Sequence, residues 1–190
     1  RSDVDDIAVG NVPFGQYKVV DKHYDKLCCS IHDYFFAKAL DKVRPGGVVA
    51  FVTSRYTMDK KSPEVRRYIA ERADMLGAIR LPNNAFKANA GTEVVSDIIF
   101  LQKRDRPVVS EPEWVHLGQT ADNHAINSYF VEHPQMVLGV ETEESTQYGR
   151  QDYTVAPIPG ADLADQLRDA VSLIRGEITA IELPDLGDGE

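Results

Sequence analysis

Asn11-Val12-Pro13-Phe14 joins an amide side chain, a backbone carbonyl set before a proline and an aromatic ring, directly behind the strand-like run Asp6-Ile7-Ala8-Val9-Gly10. That combination suits methyl transfer to an exocyclic amino nitrogen such as that of adenine. The lone pair of that nitrogen is delocalised into the ring, so a catalyst must accept both N–H hydrogens and draw the nitrogen towards tetrahedral geometry. The Asn11 side chain offers one acceptor and the Val12 carbonyl the other, both aimed at charge that grows in the transition state. Pro13 has a fixed φ and biases Val12 to an extended conformation, which holds that carbonyl in one direction. Phe14 supplies a face on which a base taken out of a duplex can stack.

Asn, Pro and Gly are also ordinary turn residues, so the tetrapeptide alone fits a plain strand-ending turn. Its place behind an apolar strand favours the pocket, because open α/β sheets put their ligand crevices beyond the carboxyl ends of strands.

The elements that would position these residues alternate along the chain. Ile7–Gly10 reads as a strand, and a helix is expected from about Ser30 to Lys42, with Phe35, Phe36, Ala39 and Leu40 at helical spacing. Pro45-Gly46-Gly47 should break that helix before the buried parallel strand Val48–Val52. Ser62 as a cap and Pro63 at the first helical position predict a helix running to about Arg72. Strands are expected at Met75–Leu81 and Val94–Gln102, with one more short strand at Trp114–Leu117. This β-α-β-α-β order implies a doubly wound α/β sheet. Residues 140–160 are polar and rich in turn residues and read as a linker. Ala161 to Ile181 reads as a helix with the stripe Leu163, Leu167, Val171, Ile174 and Ile178, and 184–190 as a frayed tail.

The net charge of −9 over 190 residues argues against nucleic acid until its distribution is considered. Residues 1–106 hold 18 Lys+Arg against 14 Asp+Glu, whereas 107–190 hold 3 against 16. The basic part carries the motif. Lys18, Lys22, His23 and Lys26 follow the tetrapeptide, and Lys60, Lys61, Arg66 and Arg67 cluster further on, where they offer charge to phosphates or simply form solvated faces. Cys28 and Cys29 are adjacent, which suits neither a disulfide nor a zinc site, and the five histidines show no ligand spacing, so no metal is expected. No apolar run is long enough to cross a bilayer and no leader precedes the first strand, so a cytoplasmic chain is expected.

The pattern Asp-x-x-x-x-Asn-x-Pro-Phe-Gly resembles the catalytic motif of N6-adenine DNA methyltransferases, above all type I restriction modification subunits and the methylase segments of helicase–methylase proteins of mobile elements. The likeness continues through His32–Leu40, Arg44–Thr53, Ile79–Phe86, Gly91-Thr92 and Ser96–Leu101, and covers roughly residues 5–139. One departure is Val12, which stands where the family commonly has a first proline. The resemblance implies a partial Rossmann-like class I methyltransferase sheet, the C-terminal half of a catalytic domain over 1–139, with a C-terminal helical appendage over 161–183. It implies S-adenosyl-L-methionine as cofactor, with Asn11 bordering it, and DNA with a flipped adenine as substrate. Phe86 is then a second aromatic for that base, opposite Phe14. An upstream methylase half, a helicase and a specificity module are the implied partners.

A sheet of this type needs an early strand leading into a glycine-rich turn for the cofactor. The chain opens on Arg1 rather than Met, only ten residues precede Asn11, and none of them forms that turn. Apart from Asn11, the cofactor-binding residues are therefore expected upstream of Arg1, and a fragment inactive on its own is the expectation. Two other functions stay open: amino-group methylation of a protein glutamine or of RNA, and a methylase remnant that only binds DNA or a partner.

Overall fold

The computed structural model describes residues 5–11, 38–86, 94–146 and 148–180. Four strands form its main sheet: β1 (Asp5–Asn11), β2 (Val43–Ser54), β3 (Ala73–Arg80) and β4 (Ser96–Lys103), in the spatial order β1-β2-β4-β3. β1 pairs parallel with β2, whereas β4 runs antiparallel to both β2 and β3. The α/β expectation therefore holds, with one difference from a fully parallel sheet. The chain leaves β3 at Arg80 and returns as its paired neighbour, with Arg80 opposite Asp97, and so inserts β4 between β3 and β2. A parallel return would need a crossover, usually helical, whereas an antiparallel neighbour needs only a turnback.

Residues 38–42 are helical, which agrees with the end of the expected helix. The Pro45-Gly46-Gly47 breaker lies inside β2 rather than ahead of it. Asp5 pairs with Val43 but Ile7 pairs with Val48, so the extra residues bulge out, and Gly46 takes a φ of 84° that favours glycine. Beyond the bulge, Val49, Phe51 and Thr53 are buried, while Val48, Ala50 and Val52 alternate with them at partial burial. This is the period-2 pattern of a strand with unequal faces, in place of the uniformly buried strand expected.

Helix α1 (Tyr56–Asp59) follows β2, and α2 (Glu64–Arg72) crosses back to β3, burying Val65, Ile69 and Ala70. Pro63 occupies the cap position of α2, so the helix starts one residue later than Ser62-Pro63 suggests, with the Pro63 carbonyl accepting from the Arg67 N–H at 2.8 Å. Trp114 sits in a 3-10 turn, Glu113–Val115, instead of in a strand. The short pair β5 (Leu117–Gln119) and β6 (Ala125–Asn127) then leads into α3 (Ser128–Glu132).

Residues 140–160 are not an extended linker. They contain the antiparallel hairpin β7 (Val140–Ser145) and β8 (Gln151–Ala156), which buries Tyr153, Thr154 and Val155. The terminal helix α4 (Leu163–Ala180) docks on β3 with Ala170 and Ile174 buried and Leu163, Leu167 and Val171 against the same core. Gly77 permits that approach. A Cβ there would lie 2.8 Å from Ile174 Cγ1 and 3.0 Å from its Cδ1. No helix among the described residues is long and apolar enough to cross a membrane.

Candidate functional site

The carboxyl ends of β1, β2 and β3 and the amino end of β4 meet along one edge of the sheet. Asn11 closes β1 and stands in register with Val52, two residues before β2 ends at Ser54. The same edge carries Thr53 opposite Asp97, Ser54 opposite Ser96, and Arg80 opposite Asp97. Main-chain bonds extend it past the strands: Arg55 N–H donates to the Val95 carbonyl at 2.9 Å, Leu81 N–H to Ser96 at 2.8 Å, and Leu138 N–H to Arg80 at 2.8 Å. The rule that ligand crevices open at carboxyl ends thus picks out the edge on which Asn11 lies.

Under this edge lies a buried ionic network. The Arg80 guanidinium donates through Nε and Nη2 to both oxygens of Asp97, at 2.8 and 2.9 Å, and through Nη1 and Nη2 to both oxygens of Asp59, at 3.0 and 2.9 Å. It also lies over the Phe130 ring, 4.3 Å from the centroid. Asp59 accepts as well from Arg55 Nη1 at 3.1 Å and from the Asn127 N–H at 2.9 Å. Arg55 reaches outward to both oxygens of Asp152 at 3.2 Å. Asn127 completes the assembly: its amide donates to the Met58 and Trp114 carbonyls at 2.8 and 2.7 Å, and its oxygen caps α3 at Tyr129 N–H.

Burial dominates the electrostatics here. It pushes the Asp97 carboxyl up to about 6 against the pull of Arg80. Burial would lower Arg80, but the Asp97 and Asp59 carboxylates more than offset it and keep the guanidinium charged. Burial also raises the Tyr153 phenol above its ordinary value. Each carboxylate in this cluster is already bonded to a cation, so the network is suited to holding the edge rigid and not to acting as a base. Amino-group methylation of the kind set out for Asn11 asks for fixed acceptors, not for a strong base.

The site residues expected from sequence fare unequally. Asn11 is placed at the end of β1. Val12, Pro13, Phe14, Lys18 and Lys22 lie outside the described residues, as do His23, Lys26, Cys28 and Cys29. Arg1, upstream of which the remaining cofactor-binding residues are expected, lies outside them too. Phe86 ends a turn just after β3 and is 38% exposed. That turn is held to the hairpin by Asn83, whose N–H donates to the Val155 carbonyl at 2.8 Å and whose amide donates to Thr154 Oγ1 at 3.2 Å. β3 and β1 are separated by two strands, roughly 14 Å at the usual strand spacing, so Phe86 must reach across the edge to meet a base held at Asn11.

The expected basic cluster is partly overturned. Arg66 is 2% exposed and donates inward, to the Val115 carbonyl at 2.7 Å and the Thr57 carbonyl at 3.2 Å. Arg67 is engaged by Glu111, which it holds below the usual carboxylate range. Neither side chain is spare for a phosphate. The network itself was missed in sequence, although a charge inside an apolar run, as in Ile79-Arg80-Leu81 and Ser96-Asp97-Ile98, is the signal that marks it.

No family model matches the chain. Defense against restriction protein B of Escherichia phage P1 is 33% identical over 115 residues, which is 58% of this chain and 5% of that protein. The chain thus spans about one-twentieth of its relative's length. Among solved structures, a Listeria monocytogenes protein described as a class I S-adenosylmethionine-dependent methyltransferase is 27% identical, covering 58% of this chain and 34% of that one with a TM-score of 0.44. A type I restriction–modification system structure is 20% identical over 70% of this chain and 29% of that one, with a TM-score of 0.46. The EcoKI M protein is 12% identical over 97% of this chain and 52% of its own, with a TM-score of 0.44.

An S-adenosylmethionine site on such a sheet needs glycines where the backbone can approach the cofactor. The space a side chain would take at Gly77 is filled by Ile174, at Gly139 by Val155 and Ala156, and at Gly118 by Val131. Gly46, Gly149 and Gly160 adopt positive φ at bends. None of these six follows a strand and opens a helix, so they form no glycine cradle for the cofactor.

Proposed function

We propose that this chain is part of an S-adenosylmethionine-dependent methyltransferase that modifies the N6 amino group of adenine in DNA. The single observation that carries the reading is the position of Asn11. It closes β1 on the carboxyl edge of the sheet, beside β2, and is followed at once by Val12-Pro13-Phe14. In this reading the Asn11 amide oxygen and the Val12 carbonyl accept the two amino hydrogens, Phe14 stacks on the flipped base, and Phe86 closes over it from the far side of the edge. Lys18 and Lys22 neutralise nearby phosphates. Similarity to the phage protein, named for defence against restriction, supports a link to restriction–modification from a second direction.

Asn11 borders the methyl donor, whose remaining contacts come from outside the described residues, in a longer polypeptide to which specificity or helicase modules also belong. The 190 residues alone should bind S-adenosylmethionine weakly or not at all. The decisive experiment introduces Asn11→Ala into the longer polypeptide and measures N6-methyladenine in DNA by mass spectrometry. Loss of one transition-state partner is typically worth about 10²–10³ in rate, so methylation should fall by that factor. Undiminished N6-methyladenine, or methyl groups found on protein or RNA instead, would overturn the reading.

A further inference from the structure

Among the described residues, the exposed large aromatic side chains are Tyr56, Phe86 and Tyr148. Tyr148 lies between the hairpin strands. Phe86 already has its place in the reading above. Tyr56 has none, and its position is the more suggestive: it emerges two residues after β2, the strand that pairs directly with the one ending at Asn11. In strand order it stands nearer to Asn11 than Phe86 does.

Tyr56 is 55% exposed, an unfavourable disposition for so large a ring. It is also braced. The Arg55 guanidinium lies 4.5 Å from the centre of its ring, and Arg55 is fixed in turn by Asp59 at 3.1 Å and Asp152 at 3.2 Å. Asp59 is locked by Arg80. The buried network thus ends at the surface in an oriented aromatic with a cation beside it. Sequence-tolerant nucleic-acid binders use just such pairs, because every base presents a π-face and a guanidinium adds to the stack.

We infer that Tyr56 is a substrate-contacting residue that stacks on a nucleobase of the bound DNA strand at the crevice beside Asn11. This rests on the proposal that the crevice takes DNA, but not on which atom is methylated. It is tested in the longer polypeptide by fluorescence-anisotropy titration of labelled DNA against wild type, Tyr56→Leu, Tyr56→Phe and Tyr56→Trp, at fixed salt. Tyr56→Leu should weaken binding about tenfold, the order found for loss of one stacked base, while the two aromatic variants keep near-normal affinity. With an oligonucleotide carrying 5-iododeoxyuridine, light should crosslink the peptide that contains Tyr56. Unchanged affinity in Tyr56→Leu, or an equal loss in Tyr56→Phe, overturns the inference. Failure of Asn11-dependent adenine methylation leaves these binding outcomes intact, so the two ideas fail separately.

Discussion

Arg80 and Asp97 face each other across paired strands, both wholly buried, and share two hydrogen bonds of 2.8 and 2.9 Å. Removing the cation leaves Asp97 without its guanidinium in the interior and Asp59 with Arg55 as its remaining cation. Breaking a buried pair in this way costs about 3–5 kcal/mol, so Arg80→Met should lower the urea unfolding midpoint by that equivalent. Arg80→Lys should recover little of it, because one ammonium cannot donate to two carboxylates in the plane of a guanidinium fork. A near-native midpoint for Arg80→Met would refute the assigned role.

The pH dependence of stability has a definite sign at Asp97. Its carboxyl titrates near 6 in the fold and near its ordinary 3.8 when unfolded. Between those values the native state keeps a proton that the unfolded chain has released. Stability from this group is therefore greatest below about pH 3.8, falls as pH rises towards 6 and is flat above. The unfolding free energy of wild type relative to Asp97→Asn should accordingly fall across that window and stay constant from about pH 7 to 8. A difference independent of pH from about 4 to 8 would contradict the buried, lifted carboxyl.

Two glycines should respond unequally to alanine. At Gly77 the obstacle is the end of the Ile174 side chain, so Gly77→Ala should cost about 1–3 kcal/mol by overpacking. Adding Ile174→Ala should then cost less than the sum of the two single changes. At Gly139 the added methyl meets the Ala156 carbonyl oxygen and Val155, and backbone cannot swing aside. Gly139→Ala should be the more damaging, and strict additivity at the first pair would show that α4 does not sit on β3 as described.

Asn127 joins three segments through one amide. Asn127→Ala strands the Met58 and Trp114 carbonyls and removes the cap of α3, and should cost about 1–3 kcal/mol for the unsatisfied groups alone. Asn127→Asp should be worse, since it points a carboxylate at two carbonyl oxygens. Amide hydrogen exchange at Tyr129 provides the readout, and unaltered protection there in Asn127→Ala would count against the cap.

Sequence carried the local elements well. The apolar runs at 7–10, 48–52, 75–81 and 94–102 all coincide with strands, because period and turn residues act over a few positions. It did not carry the insertion of β4 between β2 and β3, which depends on pairing between residues 17 or more positions apart, as Arg80 with Asp97. The hairpin at 140–156 was hidden for another reason. Glu141, Glu143 and Glu144 are poor strand formers, and β7 is held by its partner β8, whose Tyr153 and Val155 face the core. The end of β1 at Asn11 was legible through its neighbours in sequence. Tyr56 was not, because only the fold shows that the ring after β2 stays exposed beside a fixed guanidinium.

The antiparallel placement of β4 bears on how this protein can change. The stretch from Leu81 to Val95 leaves one strand and enters its immediate partner, with Arg80 and Asp97 clasped at its root. Both ends are thus anchored on the same edge, a few ångströms apart. Residues can be added to or removed from the middle of that stretch without displacing either anchor, since lengthening a closed loop costs little. New surface can therefore be grown there while the edge of the sheet at Arg80 and Asp97 keeps its shape.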